Sequence, residues 1–246
     1  MQISISNAIK GEPSSGGGSS FLNQYSFIFN GLDDYIDCGT DASLAVTNIS
    51  ISAWIKTSGG SGYQSIISAD NSNGSYRRYQ LTVNNISGCI SFFYWNSSLS
   101  FKFINGTIIV NDGQWHHIMV VNDGSNLKIY VDGVVDSSIA SGGTMNTQGT
   151  NVITAIGSIY GSYGFFLGTI DEVAIWDRDQ SAAATTIYNG GLPNDLTSLS
   201  PLSWWRMGDA ATWTGRNWDL IDQGSGGNNG FSDTLPFAAR TTDIPT

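Results

Sequence analysis

Stretches in which apolar and polar residues alternate one for one recur along this chain, and they restrict it to strands with one face buried. Ile49, Ile51, Ala53 and Ile55 alternate with Ser50, Ser52, Trp54 and Lys56, and Leu127, Ile129 and Val131 alternate with Lys128, Tyr130 and Asp132. Similar runs predict strands over residues 25–29, 65–68, 79–84, 89–95, 115–122, 152–156 and 168–176, with one more over 202–207. Between them stand the pairs Asn30-Gly31, Asn73-Gly74, Asn105-Gly106, Asp112-Gly113, Asp123-Gly124 and Asp132-Gly133, which supply the positive φ angles of tight turns. Many short strands at this spacing predict an all-β fold, an antiparallel β-sandwich, and exclude an α/β enzyme fold. One short helix is expected over Ser181–Tyr188, capped by Ser181, stopped near Gly190 and covering one end of the sandwich.

A chain of 246 residues with 40% hydrophobic content can build one large sandwich core without a second domain. The net charge of -10 comes from twenty acidic residues, of which only Glu12 and Glu172 are glutamate. Aspartate favours turns, where its short side chain bonds nearby backbone, so the acidity reads as scattered loop tips. With this balance and no run of Lys or Arg, a nucleic-acid-reading surface is not expected. Nor is a membrane span, because no stretch stays apolar for the roughly 20 residues a helix needs. Residues Met1 to Lys10 have no basic start followed by an apolar core, so synthesis and folding in a cytoplasm are expected. Residues 1–20 read as an arm followed by a Gly/Ser linker. Cys38 and Cys89 are too few for a disulfide framework and read as small buried residues, with a bridge as the alternative.

Five landmarks in order resemble the laminin-G-like, pentraxin-like branch of the concanavalin A-like lectin and glucanase superfamily. They are Phe29-Asn30-Gly31 with Asp33-Asp34-Tyr35-Ile36, Ile51-Ser52-Ala53-Trp54-Ile55, Gly113-Gln114-Trp115-His116-His117, Ile129-Tyr130-Val131-Asp132-Gly133 and Gly168-Thr169-Ile170-Asp171-Glu172-Val173. The resemblance implies a concanavalin A-like jelly roll over residues 21–192. Residues 193–246, with Trp204-Trp205-Arg206, look like the segment that usually opens such domains; here they are expected to supply a further strand to the same sandwich, in the same molecule or in a neighbouring one.

The superfamily's glucanases use two glutamates on one strand face, with carboxyl groups about 5 Å apart in retaining chemistry. Glu12 in a linker and Glu172 alone cannot make that pair, so no enzyme activity is expected. His116 and His117 are neighbours on one strand and point to opposite faces, which prevents both from holding one metal. The resemblance implies a structural calcium ion, which takes carboxylate and carbonyl oxygens. The matching acids are Asp33 or Asp34, with Asp34 preferred, and Asp171. Asn30 stands where relatives often have Asp, and turn formation explains Asp33 and Asp34 as well.

Sugar recognition would use aromatic faces with polar side chains beside them. Candidates are Tyr130, which points away from Leu127, Ile129 and Val131, together with Tyr76, Trp95 and Tyr163. The function expected is lectin-like recognition of a surface polysaccharide or receptor; a purely structural subunit is the alternative. Residues 202–230 also resemble segments of phage virion proteins. That resemblance implies a virion location, with the arm binding other virion proteins and the sandwich displayed outward in one copy or as a homo-oligomer. Extracellular or cell-surface display is the second possibility.

Overall fold

The computed structural model of the chain describes residues 21–71 and 77–246; the arm over 1–20, the Asn73-Gly74 turn and Tyr76 lie outside these. Two antiparallel sheets face each other. One contains, in spatial order, β10 (Val134–Ala140), β9 (Asn126–Val131), β8 (Trp115–Asn122), β3 (Ile49–Lys56), β12 (Leu167–Trp176), β1 (Ser26–Asn30) and β17 (Arg240–Thr241), with β13 (Ser203–Trp205) also on β12. The other runs β14 (Ala211–Trp213), β15 (Trp218–Leu220), β16 (Gly230–Ser232), β2 (Ile36–Asp37), β11 (Ile153–Ile156), β4 (Tyr63–Asp70), β5 (Tyr79–Asn84), β6 (Cys89–Trp95) and β7 (Phe101–Ile109). The all-β sandwich read from the alternation is thus the observed fold.

The alternating residues do what their period requires. Ile49, Ile51, Ala53 and Ile55 of β3 meet Leu81, Val83, Phe92 and Tyr94 of the opposite sheet in one core. Cys38 and Cys89 are buried and unbridged. Asp132 (φ 52) and Gly133 (φ 75) turn β9 into β10, as that pair predicts.

Three expectations need correction. Asn105-Gly106 is no turn: both residues lie inside β7. A Cβ on Gly106 would fall 2.1 Å from the Asp136 carboxylate, whose oxygens accept from Thr107 N–H at 3.0 Å, so this glycine serves a close approach of β7 to β10. The short helix, Ala184–Tyr188 with one 3-10 turn on either side, covers a sheet face, not an end of the sandwich. With Leu196 and Trp204 it buries Met119, Val121, Tyr130, Ala174 and Trp176 in a second apolar layer. On the same outward side of β3, Trp54 is buried against Tyr188 of the helix, and Ser50 is buried where it donates to Arg178 C=O and accepts from Gln180 N–H.

Residues 193–246 form five short strands where one was expected, β13 to β17. β13 and β1 lie end to end on the same edge of β12: Trp205 is opposite Val173, and Phe27 is opposite Ile170. Trp205 and Trp218 are fully buried in the main core.

Candidate functional site

On the outward face of the nine-stranded sheet β4, β5, β6 and β7 run side by side; Ser68 and Thr82 of β4 and β5 are buried there, and the face opens to solvent over Phe101 and Phe103 of β7. Because Tyr79, Leu81, Phe92, Tyr94 and Ile104 point into the core, their strand neighbours must point out. Register places these in cross-strand rows: Ser68, Gln80, Phe93 and Phe103 form one, and Trp95 sits opposite Phe101 in the next. A cavity of about 570 Å³ lies over them, lined by Tyr63, Arg77, Gln80, Phe93, Trp95, Phe101 and Tyr163 among others.

Its floor is aromatic. The Phe93 ring has Tyr63 edge-on at 5.2 Å and Phe101 stacked at 6.0 Å, and Trp95 meets Phe101 at 5.0 Å. Phe101, Phe103, Tyr63 and Tyr163 are about half exposed, so an apolar strip faces solvent instead of core. Tyr163 reaches the site from the loop between β11 and β12, which is pinned by a bridge between Ile159 and Tyr163 and by Ser65 N–H donating to Gly164 C=O at 2.8 Å.

Its polar side is built on a buried carboxylate. Asp70 accepts from Asn71 N–H at 2.7 Å and from Gln80 Nε2 at 3.0 Å, and Arg77 Nε stands 3.2 Å away. Burial pushes the Asp70 carboxyl above its ordinary range, against the opposing pull of Arg77. The guanidinium lies 5.5 Å from the Trp95 ring centre, and Arg77 Nη2 donates to Tyr163 Oη at 3.5 Å. Burial and the nearby Asp70 raise the Tyr163 hydroxyl as well.

Of the four aromatic residues singled out from the sequence, Trp95 and Tyr163 meet in this cavity. Tyr76 lies outside the described residues. Tyr130 does point away from Leu127, Ile129 and Val131, but it is 5% exposed beneath the helix and offers no face to a ligand. Period two gives a side chain's direction, whereas the cover comes from a segment some fifty residues on. Tyr63, Arg77, Phe93 and Phe101 were not foreseen. Phe93 was legible as the residue two before Trp95 on the same strand, hence on the same face, and Phe101 was hidden by reading Asn105-Gly106 as a turn.

Asp34 and Asp171 do not come together. Asp34 accepts from Asn30 N–H at 2.9 Å, at the far end of β1 from Phe27, which pairs with Ile170, the residue before Asp171. Three strand residues, about 10 Å, separate Asn30 from Phe27. Burial pushes Asp34 up to about 6. Asp171 is fully buried, accepts from Asn23 Nδ2 at 2.8 Å and from Glu172 N–H at 2.9 Å, and is held well above the usual carboxylate range by burial and by Glu172. As a pair the two do not fit one calcium ion, and among the described residues no group of three His, Cys, Asp or Glu side chains is arranged to hold a metal. His116 is hydrogen-bonded to Asp132 at 2.8 Å and to Asp112 at 3.2 Å; His117 packs against Trp54 and Tyr188, which stack on each other. No helix among the described residues is long and apolar enough to cross a membrane.

A family model described as the concanavalin A-like lectin/glucanases superfamily matches residues 30–186. No curated protein matches the chain. Solved structures similar to it in fold include the following three. A "putative carbohydrate binding protein" from Bacteroides ovatus is 15% identical over 92% of this chain, with a TM-score of 0.69; the chain spans 62% of that protein's length. The CBM40 of a Ruminococcus gnavus sialidase, bound to α2,6-sialyllactose, is 15% identical over 69% of this chain and 98% of its own, with a TM-score of 0.53. A heptameric SAP-like pentraxin from Limulus polyphemus is 17% identical over 68% of this chain and 82% of its own, with a TM-score of 0.50.

Proposed function

The chain belongs to the concanavalin A-like lectin/glucanases superfamily, and from that premise we propose that it is a non-enzymatic, lectin-like module that binds carbohydrate in the cavity over Phe93 and Trp95. The observation that carries this reading is the open aromatic floor beside one set of polar groups. Sugar rings stack their C–H faces on aromatic rings while hydroxyls seek fixed donors and acceptors, and Phe93, Trp95 and Phe101 lie next to Arg77, Gln80 and Tyr163. The carbohydrate-binding descriptions of two of the similar structures support it. The non-enzymatic part rests on chemistry: glycoside hydrolysis by two carboxyl groups needs both at the bond, and no carboxylate is among the described lining residues.

A glycan array that includes bacterial surface polysaccharides, run with and without calcium on the full chain, tests this. Binding that weakens roughly tenfold in Trp95→Ala, about what one lost aromatic contact is worth, is expected. Absence of binding by a folded sample in both conditions would move the reading to a structural subunit.

The same reading places the module on a phage virion, where residues 1–20 attach it to other virion proteins and its ligand is a host-surface polysaccharide or receptor. Its support is the likeness of residues 202–230 to virion proteins. Repeated copies would strengthen weak sugar binding through avidity. Deleting residues 1–20 is expected to leave sugar binding intact and to abolish incorporation into particles; undiminished incorporation would refute the anchor.

A further inference from the structure

We propose that the sugar bound in this cavity carries a carboxylate, and that Arg77 grips it; this rests on the reading of the cavity as a sugar site. The protein has a net charge of -10, yet the only charged side chain among the described lining residues is Arg77. Two other cations are paired away from the cavity, Lys56 with Asp243 and Arg206 with Glu172.

The orientation of Arg77 is set from behind. Asp70 is 1% exposed, faces the Nε edge of the guanidinium at 3.2 Å, and is itself held by Asn71 N–H and Gln80 Nε2. Trp95 lies against the guanidinium on another side. The two Nη groups carry four N–H donors; one is directed at Tyr163, a residue of the cavity wall. A planar fork held in this way suits a carboxylate, which accepts two parallel N–H bonds.

The charge of the lining points the same way. A neutral sugar presents hydroxyls that both donate and accept, and the described lining residues offer them neutral partners, Gln80 and the hydroxyls of Ser61, Tyr63 and Tyr163. Among those lining residues the one charged group is the donor fork of Arg77, and the carboxylate behind it, Asp70, is buried and already occupied. A carboxylate only accepts hydrogen bonds, and its charge is complementary to Arg77.

The test uses sialylated and uronate-containing oligosaccharides, each paired with its carboxyl-reduced neutral counterpart, against the full wild-type chain. At least one pair is expected to show a preference of about tenfold or more for the acid, falling as salt is raised and lost in Arg77→Gln. Arg77→Lys, which keeps the charge but not the fork, is expected to recover little of it. Equal binding to both members of every bound pair overturns the carboxylate while leaving the sugar site standing, as does a preference that survives Arg77→Gln. Failure of the folded wild type to bind any acidic or neutral glycan overturns the sugar site, and the present inference with it. The paired probes need no variant, so instability of Arg77→Gln cannot mask the outcome.

Discussion

The indole Nε1 of Trp204 donates to Glu172 Oε2 at 2.6 Å, joining the C-terminal segment to the middle of β12. Arg206 Nε reaches the other oxygen of the same carboxylate at 3.1 Å. Glu172 has φ +49 and sits where the pairing of β12 with β3 slips, between Asp171 and Ala174. On the opposite edge of β12 this is also the gap between β13 and β1. The protein therefore buries two neighbouring carboxylates, Asp171 and Glu172, where β13 of the C-terminal segment abuts β1.

These carboxylates should make the fold more stable in mild acid. Burial pushes Glu172 up to about 7 from an ordinary 4.5, against the pull of Arg206, and Asp171 is raised as well. Between those two pH values the folded chain keeps protons that the unfolded chain has released, so the contribution is full below about 4.5 and is lost as pH rises through 7. Urea unfolding of Glu172→Gln should show a flatter decline from pH 5 to 8 than the wild type; an unchanged slope would contradict the assignment.

His117 acts in the opposite sense. Among the described residues neither of its buried ring nitrogens has a partner, and burial lowers it to about 4 from 6.5. As pH falls below about 6.5 the unfolded chain takes up a proton that the folded chain refuses until about 4, so stability is lost across that window. Replacement by Phe removes an unsatisfied polar group, which costs about 1–3 kcal/mol when buried. His117→Phe should therefore gain about 1 kcal/mol at pH 7, and the gain over wild type should widen toward pH 4. A gain that stays constant with pH would count against the linkage.

Gly168 has φ +141, and a Cβ there would lie 2.2 Å from Lys56 C=O. The close contact is with backbone, which cannot swing aside as a side chain can. Gly168→Ala should lose roughly 3 kcal/mol of stability in denaturant unfolding, and a loss under 1 kcal/mol would show that β3 and β12 can separate cheaply.

Residues 21–192 should not fold by themselves. Trp205, Met207, Trp218 and Leu220 all belong to the main core, and Trp218 meets Phe27 at 5.0 Å. Their removal uncovers Phe27 and one edge of β12. Circular dichroism and hydrogen exchange on that fragment should show an unfolded or aggregated chain where residues 21–246 give a cooperative transition; a cooperative transition in the fragment would refute this.

What the sequence by itself determined is the local part of the molecule. Period-two alternation assigned β3, β8 and β9 and their inward residues, because side-chain direction along a strand depends on nothing beyond the strand. Asp132-Gly133 likewise specifies its turn through its own backbone preferences. What only the tertiary structure decided is which outward faces stay open. Tyr130 and Trp95 are both outward on their strands, yet Tyr130 lies under the helix of residues 184–188 while Trp95 lines the cavity. The carboxylates of Asp34 and Asp171 are kept apart by the length of β1, and Arg77, beside Asp70 of its own hairpin, meets Tyr163 only through a loop almost ninety residues away. Such meetings depend on strand order and on which segment covers which sheet. Those are set by packing summed over the whole core, which no local pattern records.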